Sequence, residues 1–145
     1  MSVWNRTPER ARALCEALGG GTVVADPPPA DLLVNCTSIG LHAGAGAAGA
    51  GAAGAGGAGA AERDVAELAA LPVGASELQY GIVVDLVYRE GGTALLRRAR
   101  EQGLETVGGL ELLIGQGALS FEQFTGVPSN TAAMRSALGL QSMAR

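Results

Sequence analysis

Short apolar runs alternate with helical segments along this chain, and the alternation constrains its fold more than any other feature. Residues 2–5, 22–25, 32–35, 82–87 and 105–107 have the composition of β-strands. The continuous apolar run at 32–35 is typical of a strand that is buried on both faces. Strands that alternate with helices form parallel sheets with right-handed crossovers. The sequence therefore predicts an α/β chain, part of a doubly wound nucleotide-binding fold.

Apolar positions at helical spacing mark the segments between the strands. Ala11, Leu14, Cys15 and Leu18 predict one buried face for a first helix, and Thr7 is placed to cap its N-terminus. Three glycines after Leu18 end that helix. Further helices are predicted over residues 62–71, 93–102 and 110–125, followed by a last helix that includes residues 133–138.

Residues 43–61 contain 11 alanines and 8 glycines and no other residue type. The glycines weaken any helix, and no side chain in this Ala/Gly tract is large enough to pack into a core. We therefore expect a flexible surface insertion within one domain that spans residues 1–145.

Charge and residue usage exclude several classes of protein. All 10 basic residues are arginines, scattered over a chain of net charge −4, which argues against nucleic-acid binding. No apolar stretch is long enough to suggest a membrane span, and the N-terminus has no signal-peptide pattern. The single histidine, His42, is expected in a surface loop, and no metal site is predicted. Cys15 and Cys36 match no zinc or redox spacing, which favours reduced thiols and the cytoplasm.

The first predicted strand is followed by Asn5, Arg6 and Thr7, with Arg10 one turn into the next helix. Ligands of such folds bind at the carboxyl ends of the strands, and an arginine there accommodates the 2′-phosphate of NADP. The N-terminus of the helix adds a preference for anions. The alternative is an ordinary capped surface helix with solvated arginines.

Three further strand ends carry polar or small residues. Thr37 lies in the Asn-Cys-Thr-Ser-Ile-Gly segment at 35–40, and Tyr88 follows the predicted strand at 82–87. Gly109 opens a helix that carries Gln116 between two glycines. Small residues let a backbone approach a flat ring or a ribose, and a glutamine on an apolar helix needs a hydrogen-bond partner. Plain polar turns, with Gln116 bonded to a neighbouring loop, are the alternative.

Four motifs together resemble the C-terminal, NADP-binding domain of the shikimate dehydrogenase family. Residues 5–11 are similar to N-R-T-x-x-R-A, residues 31–41 to D-L-L-V-N-A-T-S-x-G-M, residues 85–96 to D-x-x-Y-N-P-x-x-T-x-L-L, and residues 109–126 to G-x-x-M-L-x-x-Q-x-A-x-x-F-E-x-x-T-G. Arg89 and Glu90 stand where the family has Asn-Pro, and Leu41 and Leu112 stand where it has methionine.

The resemblance implies a partial Rossmann-like, doubly wound parallel sheet that lacks its first β-α unit. The family's glycine-rich pyrophosphate loop, its substrate domain and that domain's catalytic lysine and aspartate have no counterpart in residues 1–145, which contain no lysine. We therefore expect a C-terminal fragment that is inactive on its own. The family reaction is the reversible, NADPH-dependent reduction of 3-dehydroshikimate to shikimate, a cytoplasmic step of chorismate and aromatic amino acid biosynthesis.

The resemblance also implies roles for nine residues and none for a catalytic residue. The cofactor-binding residues would be Asn5, Arg6, Thr7, Arg10, Thr37, Leu86 and Gly109, and the substrate-binding residues Tyr88 and Gln116. Substrate would be held together with the substrate domain. Because the missing first β-α unit leaves a strand edge and apolar surface open, we expect homodimers or another form of self-association. Two alternatives stay open: a quinate/shikimate dehydrogenase, in which NAD-preferring members have an acidic residue in place of Arg6, and a non-catalytic nucleotide-binding remnant.

Overall fold

Five parallel strands form two sheets. In the smaller sheet, β1 (Ser2–Val3) pairs with β2 (Thr22–Val23). In the larger sheet, β4 (Tyr80–Asp85) lies between β3 (Ala30–Asn35) and β5 (Glu105–Gly108). The α/β class and the parallel strands are thus as predicted. The predicted sheet is divided, however, and in the described part of the chain no strand ladder joins β1 to β3.

Helices connect the strands. The computed structural model describes residues 1–41, 58–73 and 77–140. Within these ranges the helices are α1 (Pro8–Ala17), α2 (Ala58–Ala69), α3 (Ala94–Glu101), α4 (Gly109–Thr125) and α5 (Thr131–Ala137). None of these helices combines the length and the apolar character that crossing a bilayer requires.

The core lies between the larger sheet and α3. Val83 at the centre of β4 is fully buried against Leu95, Leu96 and Ala99 of α3. Leu95 and Leu96 follow Thr93, whose hydroxyl accepts a hydrogen bond from the Leu96 amide and so caps the helix. The predicted strand with the highest β-propensity is therefore the centre of the fold.

Two predictions of burial are wrong. Leu32 and Val34 of β3 are 52% and 42% exposed, although the sequence predicts a strand buried on both faces. They share the face of β3 that lines a cavity beside the smaller sheet, whereas Leu33 on the opposite face packs against the core. On α1, Leu14 and Leu18 are 48% and 61% exposed, since the two-residue strands beside this helix cover only its Ala11 and Cys15 positions.

The Ala/Gly tract contributes to a helix at its end. Residues 58–61 form the first turn of α2, which therefore begins earlier than the predicted residue 62. Residues 42–57, which include His42, lie outside the described residues. The expectation of a flexible insertion stays a prediction for that part of the tract.

We expect deletion of residues 45–54 to leave the fold intact. These residues carry no side chain larger than a methyl group, and loop-closure entropy changes by only about 0.6 kcal/mol per doubling of loop length. The helical circular dichroism signal should be unchanged and the free energy of unfolding should change by less than about 1 kcal/mol. Loss of the helical signal would show that the segment packs against the domain.

Candidate functional site

The segment between β1 and α1 is shaped by a local hydrogen bond. The Asn5 Oδ1 atom accepts a hydrogen bond from the Thr7 amide at 2.8 Å, and Pro8 occupies the first helical position. Thr7 is the N-cap residue, as predicted, but its side chain makes no capping hydrogen bond. Pro8 has no N–H, the Arg10 amide donates to the Thr7 carbonyl at 3.0 Å, and the Glu9 amide donates to the Glu9 carboxylate, so any attraction for an anion at this end of α1 rests on the helix dipole and the nearby arginines.

A cavity of about 720 Å³ lies at this end of α1, between the smaller sheet and β3. Its lining includes five of the predicted cofactor-binding residues: Asn5, Arg6, Thr7, Arg10 and Thr37. The structure thus brings residues that follow β1 and residues that follow β3 to one cavity, although the two strands belong to different sheets. Trp4, the only tryptophan of the chain, also lines it.

Positive charge predominates at the mouth of this cavity. Arg6 and Arg10 are exposed and lie at the N-terminal end of α1, where the helix dipole is positive. Glu9 is the acidic residue of the first helical turn, and the hydrogen bond from its own backbone amide, together with Arg12, lowers the pKa of its carboxyl. Arg12 lies 3.1 Å from Glu9 and forms an ion pair with this carboxylate, whereas neither Arg6 nor Arg10 forms a salt bridge within the described part of the chain.

Thr37 is fixed by the side chain of Asn35 at the end of β3. Asn35 Oδ1 accepts hydrogen bonds from the Thr37 amide (3.0 Å) and the Thr37 hydroxyl (2.7 Å). The same hydroxyl accepts one from the Ile39 amide at 3.1 Å. The Thr37 hydroxyl therefore already donates its hydrogen to Asn35, so it can only accept a hydrogen bond from a further ligand.

A buried aspartate that sequence reasoning did not assign to the site joins the ends of β3 and β4. Asp85 is fully buried, and its Oδ1 accepts hydrogen bonds from Asn35 Nδ2 (3.1 Å) and the Val87 amide (3.0 Å). Its Oδ2 accepts one from the Thr93 hydroxyl at 2.6 Å. Asn35 and Asp85 stand opposite each other in the β3–β4 register. Their polar side chains at the ends of two apolar runs are the signal that could have identified this pair.

The segment after β4 lies directly against the start of α4. A Cβ atom on Gly109 would lie 2.6 Å from the Val87 carbonyl oxygen, 2.7 Å from that of Leu86 and 2.8 Å from Tyr88 Cδ1. Only glycine permits this approach, which brings Leu86, Tyr88 and Gly109 together. Their roles in binding stay predictions. These three residues do not line the cavity beside Arg6. Gln116 is exposed on α4, two turns beyond Gly109.

Gly109→Ala is expected to lower the free energy of unfolding by about 1–3 kcal/mol, because the added methyl group overlaps two carbonyl oxygens of the neighbouring segment. Gly115→Ala is the matched control on the same helix. Among the described residues, no atom beyond its own helix lies within 4 Å of the added Cβ, so higher helix propensity should stabilise this variant by up to about 1 kcal/mol. Urea unfolding of both variants measures the difference. Equal effects of the two substitutions would contradict the close packing at Gly109.

The chain is similar in sequence to proteins of one enzyme family. A family model described as the shikimate 5′-dehydrogenase C-terminal domain matches residues 109–138. A shikimate dehydrogenase (NADP(+)) of Thermus thermophilus is 38% identical over 93% of this chain and 43% of the relative. One of Sphingopyxis alaskensis is 39% identical over 88% of this chain and 40% of the relative. The chain is related to the C-terminal part of shikimate dehydrogenases. It spans less than half the length of these curated relatives.

Solved structures agree with this relationship. The shikimate 5-dehydrogenase from another strain of Thermus thermophilus, in complex with NADP(H) and shikimate, is 34% identical to this chain. It superposes with a TM-score of 0.57 over 94% of this chain and 44% of the other. A shikimate 5-dehydrogenase-like protein that is 20% identical superposes with a TM-score of 0.68 over 96% of this chain, which supports the Rossmann-like fold.

One residue that departs from the family motif, Arg89, forms an ion pair with α2. Arg89, which stands where the shikimate dehydrogenase motif has asparagine, donates a hydrogen bond from Nη1 to Glu67 Oε2 of α2 at 2.6 Å. The segment after Tyr88 is therefore held by an ion pair to a neighbouring helix.

Proposed function

We propose that this chain is the NADP-binding part of a dehydrogenase that interconverts shikimate and 3-dehydroshikimate. The observation that carries the proposal is the cavity at which Arg6, Arg10 and Thr37 meet the N-terminus of α1. The name of the 38% identical Thermus thermophilus relative, shikimate dehydrogenase (NADP(+)), supports both the cofactor and the substrate.

The donor set at the cavity mouth fits the adenosine end of NADP. Guanidinium groups form charge-assisted, often bidentate hydrogen bonds to phosphate, and a helix N-terminus attracts the same group. We assign the 2′-phosphate to Arg6, Thr7 and Arg10, with Asn5 holding the turn that presents them. An NAD site has instead a carboxylate that accepts from the ribose 2′-hydroxyl, so the two arginines favour NADP.

The remaining predicted residues are assigned to the other end of the cofactor and to the substrate. Thr37, whose hydroxyl is left as an acceptor, suits a ribose hydroxyl, and we assign the nicotinamide to the exposed Leu86 and the adjacent Gly109. When bound, NADPH supplies the hydride. Tyr88 and Gln116 are assigned to the substrate. Residues 1–145 contain no lysine, and we assign no catalytic acid or base to them.

We also propose that the chain acts in the cytoplasm and associates with itself through α4. Leu119, Phe121 and Phe124 of this helix are 70%, 42% and 87% exposed, which is an unusual apolar surface for a monomer. Sedimentation velocity of the 145-residue chain should show a concentration-dependent equilibrium that Phe124→Ser weakens. A monomer at every concentration would contradict the self-association.

A chimera tests the proposed function. It joins the N-terminal region of the 38% identical Thermus thermophilus relative, which this chain does not match, to residues 1–145. We expect shikimate-dependent reduction of NADP⁺, with quinate as the competing substrate to be compared. The N-terminal region alone is the control. A folded chimera that fails to reduce NADP⁺ with either shikimate or quinate would overturn the proposal. A preference for quinate would assign the chain to the related quinate/shikimate dehydrogenase activity.

A further inference from the structure

We propose that Glu67 of α2 is a positioning residue that sets the distance between two loops. The first loop comprises residues 36–41 and carries Thr37, and the second comprises residues 86–93 and carries Leu86 and Tyr88. The contacts of Glu67 stand independently of any activity. What the two loops bind rests on the proposed function.

Both carboxylate oxygens of Glu67 are committed to the second loop and the helix that follows it. The Glu67 side chain is only 5% exposed. Its Oε2 accepts a hydrogen bond from Arg89 Nη1 at 2.6 Å, and its Oε1 accepts one from the Ala94 amide at 2.7 Å. One carboxylate thus fixes the second loop at Arg89 and the start of α3 at Ala94.

The same carboxylate lies against the first loop. Gly40 has a φ of +94°, and a Cβ atom there would come within 3.0 Å of Glu67 Oε1 and 3.1 Å of Thr93 Cγ2. The backbone of the first loop therefore approaches Glu67 as closely as a glycine allows. Because Gly40 lies three residues from Thr37, and Arg89 adjoins Tyr88, Glu67 is a common support behind both proposed binding loops.

A second carboxylate of α2 provides a contrast. Asp64, one turn before Glu67, accepts hydrogen bonds from Arg97 Nε (3.0 Å) and Arg97 Nη2, and Arg97 Nη1 donates to the Gly92 carbonyl at 2.6 Å. This ion pair holds α3 and the end of the second loop, and its side chains are about one-third exposed. None of these bonds reaches the first loop. Asp64 is therefore the matched control for an ion pair between α2 and α3.

Burial explains why Glu67 is suited to this role. A buried carboxylate is costly unless every oxygen has a partner, and losing one partner of a buried pair is more damaging than losing an exposed pair. Glu67→Gln keeps an acceptor for the Ala94 amide but removes the charge that holds Arg89. Arg89→Met removes only the link to the second loop.

Hydrogen exchange of the 145-residue chain, resolved by mass spectrometry, tests the proposal without any ligand. We expect Glu67→Ala to speed exchange in both loops by roughly tenfold, because it removes the hydrogen bonds to Arg89 and Ala94 and also the contact with Gly40. Glu67→Gln, which keeps the contact with Gly40, should speed exchange in the second loop only. Arg89→Met should speed exchange in the second loop only. Asp64→Asn should leave the first loop unchanged. The amides of β4, at the centre of the fold, report whether each variant stays folded.

Two results on the first loop would overturn the proposal: exchange that differs by less than about twofold between Glu67→Ala and the parent chain, or equal effects of Glu67→Ala and Asp64→Asn. If Glu67→Ala does not fold, Arg89→Met decides, because unchanged exchange in the second loop contradicts the link. In the chimera, Arg89→Met should raise the KM values for shikimate and for NADP⁺, because the second loop carries both Tyr88 and Leu86, and it should leave the preference for NADP⁺ over NAD⁺ unchanged. Unchanged KM values for both would contradict a positioning role. An inactive parent chimera would count against the proposed function, while the exchange data would still decide the role of Glu67.

Discussion

Replacing Arg6 by aspartate in the chimera is expected to lower the preference for NADP⁺ over NAD⁺ by one to two powers of ten. Hydrogen bonds to charged groups contribute roughly 1.5–3 kcal/mol each, which is about one to two decades in affinity. The aspartate would also repel the 2′-phosphate, while it could accept a hydrogen bond from the 2′-hydroxyl of NAD⁺. The measurement is the ratio of kcat/KM for the two cofactors.

Arg12→Asp is the matched control for this prediction. Arg12 lies on the same helix but is paired with Glu9 and does not line the cavity, so the same change in charge should leave the ratio nearly unchanged. A ratio that stays within a factor of about three for Arg6→Asp, less than roughly 1 kcal/mol, would mean that Arg6 does not recognise the 2′-phosphate. An equal effect of Arg12→Asp would show that the preference for NADP⁺ depends on the overall charge of this region and not on a contact with Arg6.

Asp85→Ala is expected to lower the free energy of unfolding by about 3–5 kcal/mol, the largest effect on stability that we predict. The substitution leaves the Asn35 amide, the Val87 N–H and the Thr93 hydroxyl without their acceptor in a fully buried position. A domain of this size is stable by only about 5–15 kcal/mol, so much of its stability should be lost.

Asp31→Ala is the control at the other end of the sheet, since Asp31 is exposed on β3 and its loss should matter by less than about 0.5 kcal/mol. Denaturant unfolding at equilibrium measures both variants. An Asp85→Ala protein as stable as Asp31→Ala would show that the network does not hold the ends of β3 and β4 together.

The order and type of the elements follow from the sequence because local signals agree with the fold. Val83 lies in a β-branched run, and Thr93 supplies the cap of α3, so strand and helix are both encoded locally. The exposure of Leu32 and Val34 could not be read in the same way. An apolar run does not reveal whether its strand is central or at an edge, and that depends on which other strands are present.

The sequence identifies polar residues that follow a strand, but it does not identify residues whose role depends on tertiary contacts. The structure places Arg6 and Arg10 beside a cavity, and their assignment to an anion stays a prediction. Glu67 looks like any acidic residue on a helix surface. Only the fold brings it against Gly40 and Arg89, across loops that are distant from it in sequence.

The central claim is that the cavity beside α1 holds the 2′-phosphorylated adenosine end of NADP, and the 145-residue chain itself can test it. Trp4, the only tryptophan, lines that cavity and reports binding by its fluorescence. We expect adenosine 2′-monophosphate to bind at least about tenfold more tightly than adenosine 5′-monophosphate, and Arg6→Asp to remove the difference. Equal affinity for the two nucleotides, or a preference that survives Arg6→Asp, would contradict the assignment.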